Sequence, residues 1–243
     1  MFSLFRIEIN RFFSSITGYV VILVFLLVNS LYMWIFPGDF NILDAGYATL
    51  DTLFIISPWV FLFLIPAITM KMFADEKKAG TMDLLLIRPL TDMQIVLAKY
   101  LASLLLAVFS LLPCLIYFLS VYLLGSPPGN VDTGATWGSF TGLLLLAAAY
   151  TGIGIFSSSL TDNIIVAFII SVSVSFLFFI GFDYLGYLNV FGRAGTFVLS
   201  LGINEHYKSV SRGVIYLKDI IYFISLISVF LLFTKTILSK RRW

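Results

Sequence analysis

The chain has 243 residues, 60% of them hydrophobic and only 12% charged, with a formal net charge of +2. A soluble domain is roughly 45–50% apolar, and the surplus here is gathered into runs of about the 20 residues that a helix needs to cross a bilayer. That excludes a soluble domain, and aromatics spread along the apolar runs rather than among Lys and Arg exclude a nucleic-acid surface.

Residues 1–16 place Phe2, Phe5, Ile9, Phe12, Phe13 and Ile16 at helical spacing, with Ser3, Arg6, Asn10, Arg11 and Ser14 mostly opposite. This predicts an amphipathic helix lying in the membrane interface. Arg6 and Arg11 ahead of an apolar stretch resemble a signal peptide, but that stretch is too long and no small-residue cleavage site follows, so it reads as a retained first span. Spans are predicted at 17–36, 53–73, 95–124, 137–160, 164–182 and 219–237. Pro58 and Pro66 predict kinks in the second. Thr91 and Gln94 form a capping-box pattern at the head of the third. Residues 95–124, as one straight helix, would reach about 45 Å against a hydrocarbon core of about 30 Å, so the first turns, with Lys99, should protrude on the charged side.

Between the second and third spans lies a polar insert, residues 74–94, holding Asp75, Glu76, Lys77, Lys78, Asp83 and Arg88. Residues 81–88 can form a short helix that Thr81 caps, Asp83 favours through the helix dipole and Pro89 stops. Leu84, Leu85 and Ile87 would make an apolar ridge that must dock somewhere. Residues 183–218 are half apolar and interrupted by Gly186, Gly192, Gly195 and Gly202, which suits short helices lying on or dipping into the outer leaflet.

With six spans both termini share a side. That side holds Arg6, Arg11, Lys71, Lys77, Lys78, Arg88, Lys99, Lys235, Lys240, Arg241 and Arg242, against Arg193, Lys208, Arg212 and Lys218 opposite. The positive-inside tendency puts the termini and the polar insert in the cytoplasm. The predicted fold class is an all-α membrane protein: six transmembrane helices, an N-terminal interfacial helix, a cytoplasmic coupling helix and a re-entrant outer segment before the last span.

The predicted spans carry no ionisable group between their ends, which argues against ion-coupled transport or proton pumping. There is no phosphate loop and no His-Glu-x-x-His motif, so no nucleotide, cofactor, metal or catalytic residue is expected on this chain. The lone cysteine, Cys114, reads as a buried hydrophobe, and the lone histidine, His206, as structural. Small-xxx-small pairs, Gly138/Gly142, Ala148/Gly152 and Gly154/Ser158, let helices approach closely; Gly138, Gly142, Ala148 and Gly152 suit either a dimer face or packing inside one chain.

Glu76, Gly80-Thr81, Asp83-Leu84-Leu85 and Pro89, followed by Lys99-Tyr100, resemble the signature of ABC-2 type permeases across nearly the whole chain, 1–243, as a single transmembrane domain. Glu205-His206-Tyr207, Arg212-Gly213-Val214-Ile215 and Asp219-Ile220-Ile221-Tyr222-Phe223 are similar to the branch linked to bacterial gliding motility, with a departure at Tyr216, where an acid is frequent. The resemblance implies a permease in the bacterial cytoplasmic membrane that works as a homo- or heterodimer. A separate ABC ATPase subunit would bind ATP and Mg²⁺ and push on Glu76, Gly80, Thr81, Asp83, Leu84, Leu85, Arg88 and Pro89. It also implies, for the gliding branch, an accessory protein with a periplasmic domain. The alternative is a non-transporting scaffold that anchors a cell-envelope machine.

Overall fold

The computed structural model describes residues 1–82, 90–187, 195–214 and 216–240. Every regular element among them is helical. An amphipathic helix, α1 (Phe2–Phe13), precedes α2 (Ile16–Ser30), which relaxes into a π-helical turn over Leu31–Ile35. A single turn, α3 (Ile42–Ala45), leads to α4 (Asp51–Thr69) and α5 (Lys71–Lys78). Then come α6 (Asp92–Leu111) and α7 (Cys114–Leu124), α8 (Thr133–Leu160), and α9 (Ile164–Phe176) with a second π turn over Leu177–Gly181. Three short helices, α10 (Phe182–Tyr187), α11 (Gly195–Leu199) and α12 (Ile203–Ser211), precede α13 (Leu217–Ser239).

Six helical stretches are long and apolar enough to cross a membrane: Ile16–Ile35, Asp51–Lys78, Asp92–Leu124, Thr133–Leu160, Ile164–Tyr187 and Leu217–Ser239. Their starts follow local chemistry. The Thr91 hydroxyl accepts from the Gln94 N–H at 3.3 Å while Gln94 Oε1 accepts from the Thr91 N–H at 3.1 Å, closing the expected capping box. Asp132 and Asn163 cap α8 and α9 through their side-chain oxygens.

The third span departs from the straight helix expected over 95–124. It breaks at Pro113, whose ring supplies no N–H. The backbone tightens there, with the N–H groups of Leu115 and Ile116 donating three residues back to Leu112 and Pro113.

α8 is the central helix. Its apolar window is 78% buried against 22% for α13 and for the fifth span, so the other helices are arranged round it. It packs against α4, α5, α6, α9, α12 and α13. Outward-facing Leu23, Leu27, Ile165, Ile169, Ile221 and Ile224 remain exposed and suit lipid. Polar contacts also tie helices together: the Ser57 hydroxyl donates to buried Asn29, joining α4 to α2, and Tyr207 on α12 donates to the Phe54 carbonyl on α4 at 2.6 Å.

One end of the bundle gathers α1, α5, the start of α6 and the end of α13, since Leu4, Met72, Ile95 and Leu238 share one apolar cluster. The other end holds α12 against the starts of α4, α8 and α13.

Candidate functional site

The insert residues Glu76, Gly80 and Thr81 lie at the first of these ends. Asp83, Leu84, Leu85, Arg88 and Pro89, and with them most of the helix expected over 81–88, lie outside the described residues.

α5 continues α4 after an interruption at Met70, and a side chain from another helix sits in the gap. Ser158 of α8 accepts from the N–H groups of Phe73 and Ala74 at 2.9 and 3.1 Å and donates to the Met70 carbonyl at 2.9 Å. A hydroxyl placed in the backbone ladder is a recognised cause of a kink. α4 itself runs through both Pro58 and Pro66. Close approach of α8 makes the insertion possible: a Cβ on Gly154, one turn before Ser158, would fall 2.0 Å from Thr69 Oγ1 and 2.8 Å from Thr69 Cβ. The pair Gly154/Ser158 therefore serves packing inside the chain. So do the positions considered for a dimer face. Gly138 abuts Gly213, Gly142 faces Val210 and Tyr207, Gly152 lies against Ile227, and Ala148 is buried with its carbonyl accepting from Tyr100.

α5 ends in a C-terminal capping motif. The Thr81 N–H donates to the Glu76 carbonyl, the Gly80 N–H donates to the Lys77 carbonyl, and Gly80 takes φ +67°. Only glycine adopts that left-handed conformation cheaply. The Thr81 hydroxyl also turns back to the Glu76 carbonyl, at 3.4 Å. What is described of Thr81 closes the preceding helix; the helix it was expected to cap lies, beyond Met82, outside the described residues.

The electrostatic centre is Lys99. Its ammonium donates to Glu8 Oε1 at 2.6 Å and to Glu76 Oε1 at 2.7 Å, and lies 5.2 Å from the centre of the Phe73 ring. The Lys99 and Glu8 side chains are 0% and 4% exposed, and Glu76 only 12%. This corrects the expectation that Lys99 protrudes: α1 covers it and supplies its counter-charge. One ammonium faces two carboxylates, and Glu76 Oε2 is buried without a hydrogen-bond partner among the described residues. Glu8 was not singled out from the sequence, although a signal exists. It is the only acid of α1 and stands one turn from buried Leu4, on the apolar face.

Two further contacts complete the joint. Arg11 of α1 pairs with Asp75 at 2.9 Å, largely in the open, and Lys77 donates to the Ser159 carbonyl of α8. α5 is therefore held by α1, α6 and α8 at once. Residues 20–240 match the model of the ABC-2 family transporter proteins.

The chain belongs to that family.

It is thus a multi-pass membrane subunit of the ABC-2 permease type, a kind not itself catalytic. No curated protein matches it. Among the described residues no cluster of His, Cys, Asp and Glu could hold a metal ion.

At the far end of the permease His206 is built into the structure. Its Nε2–H donates to the Ser200 carbonyl at 3.0 Å, Nδ1 lies in hydrogen-bond contact with Asp219 Oδ1 at 2.7 Å, and the ring stacks on Tyr222 at 3.9 Å. Asp219 is 0% exposed, so the pair pins α12 to the first turn of α13. Burial pushes the neighbouring Tyr207 hydroxyl up from its ordinary pKa, leaving it a neutral donor to α4.

Proposed function

We propose that this permease is the membrane-spanning half of an ATP-driven transporter whose fuel is handled by a separate ABC ATPase. In this reading ATP and Mg²⁺ sit on the ATPase, two permease copies or paralogues assemble, and the end bearing α5 faces the cytoplasm of a bacterial inner membrane. The distribution of basic residues supports that orientation. The observation that carries the proposal is the triple attachment of α5. A push on the segment around Glu76–Pro89 acts on a short helix tied to α1 through Glu8–Lys99–Glu76, to α6 through Lys99 and to α8 through Ser158. Since α8 packs against α4, α6, α9 and α13, displacement there reaches four of the other five spans. The similarity of Glu205-His206-Tyr207 and the start of the last span to the gliding-motility branch supports a role in that machinery, with a periplasmic accessory partner.

Affinity purification of the intact chain should recover an ATPase subunit. Spin labels on α5 and on the exposed end of α7 should change separation when ATP is trapped. Deleting residues 81–88 should abolish recovery of the ATPase while leaving insertion intact. Normal recovery after the deletion would refute the coupling assignment. Assembly with the ATPase but no nucleotide-dependent change in distance would identify a scaffold instead.

A further inference from the structure

At the end opposite α5, a cavity of about 480 Å³ lies between the start of α4, the π turn after α9, and α12. Its two walls differ in kind. Ile55, Pro58 and Trp59 fall on one face of α4 at spacings of three and four residues, and Phe179 closes the back, its ring edge-on to Trp59 with centroids 5.8 Å apart. Ile55 and Trp59 are 51% and 44% exposed while Phe179 is 4% exposed, so the apolar slot is sealed inward and open sideways. The opposite rim carries Lys208 and Arg212, one helical turn apart. Lys208 is held loosely by Asp183 at 3.9 Å, and Arg212 makes no hydrogen bond or ion pair among the described residues. The one acid on the rim is Asp51, at the head of α4.

A solvent-exposed guanidinium without an anion among the described residues, beside an ammonium and at the rim of an aromatic slot, has the polarity of an anionic amphiphile. Arg recognises phosphate through paired N–H donors. The cavity sits where spans begin, the depth at which lipid phosphates lie, and its open side faces the surface that the exposed apolar side chains of the spans assign to lipid. We infer that this cavity binds a phospholipid with a net-negative phosphodiester headgroup, the phosphate on Lys208 and Arg212 and the first part of an acyl chain against Ile55, Pro58, Trp59 and Phe179. The inference does not depend on the chain being driven by an ATPase.

The test is photolabelling of the intact chain in lipid nanodiscs with phosphatidylglycerol that carries a photoreactive group on its acyl chain. Labelling of residues 55–59 and 179–180 is scored against labelling of the outward face of α13 at Ile221 and Ile224 in the same molecule. A basic residue near the membrane surface contributes to anionic-lipid binding by roughly fivefold. The double variant Lys208→Gln/Arg212→Gln should therefore lower the ratio about tenfold or more. Lys218→Gln, a cation outside the cavity, should leave it unchanged. Acyl-labelled phosphatidylcholine should label the slot no better than it labels α13, and free glycerol phosphate should not compete. An unchanged ratio in the double variant, equal labelling by phosphatidylcholine, or competition by glycerol phosphate as strong as by the lipid would each overturn the proposal.

Discussion

Replacing Lys99 by Met tests the joint at its centre. Met keeps much of the side-chain length and fills the space against Phe73, but it removes the ammonium that pairs with both Glu8 and Glu76. Both carboxylates are then left in a site where their side chains are 4% and 12% exposed. Removing one partner of a buried ion pair costs about 3–5 kcal/mol. A second estimate gives the same scale, since forcing one carboxylate to be neutral at pH 7 costs about 3–4 kcal/mol. Detachment of α1 would limit the loss by letting water reach Glu8. Lys99→Met should therefore lower the melting temperature in detergent by many degrees and expose α1 to protease first. The triple variant Lys99→Met/Glu8→Gln/Glu76→Gln leaves no charged side chain of this trio buried and should regain most of that loss, ending within about 1–2 kcal/mol of the parent. A Lys99→Met protein as stable as the parent, with α1 still protected, would refute the reasoning. So would a triple variant no better than the single one.

Gly154→Ala puts a methyl 2.0 Å from Thr69 Oγ1 and should cost about 1–3 kcal/mol by overpacking, read as a shift in thermal unfolding. Adding Thr69→Ala should recover only part, because Thr69 Cβ is itself 2.8 Å from the new atom. Ser158→Ala removes the acceptor for two N–H groups and the donor to Met70; a destabilisation of about 1–3 kcal/mol should come with a changed α5–α8 distance by spin labelling. Arg11→Ala breaks an ion pair whose side chains are 56% and 36% exposed, so its cost should stay within about 1 kcal/mol in the same melting assay. His206→Ala leaves Asp219 buried with neither oxygen paired, since Oδ2 has no partner among the described residues. A loss of about 2–3 kcal/mol is expected, and Ser200 and α12 should become more open to hydrogen exchange.

Legibility divides along a physical line. Span number and approximate extent follow from apolar run length, a property of each stretch alone, because a bilayer of given thickness selects helices of given length. The Thr91–Gln94 capping box was equally readable, since its bonds close within a few residues. Pro113 could have been read as a break, but the long apolar run around it hid its effect on the third span. The joint itself was not readable. Lys99 looks like an end-of-span lysine reaching for water until α1, 91 residues earlier in the chain, is folded over it. The kink assigned to prolines is accompanied by a serine 88 residues away that enters the backbone at Met70. By itself the sequence determined that six stretches are long and apolar enough to cross a membrane, and roughly where each lies. Only the tertiary structure decided which charges meet and which helix is bent by which, because apolar helices of similar length can pair in many orders and a local pattern carries no record of its distant partner.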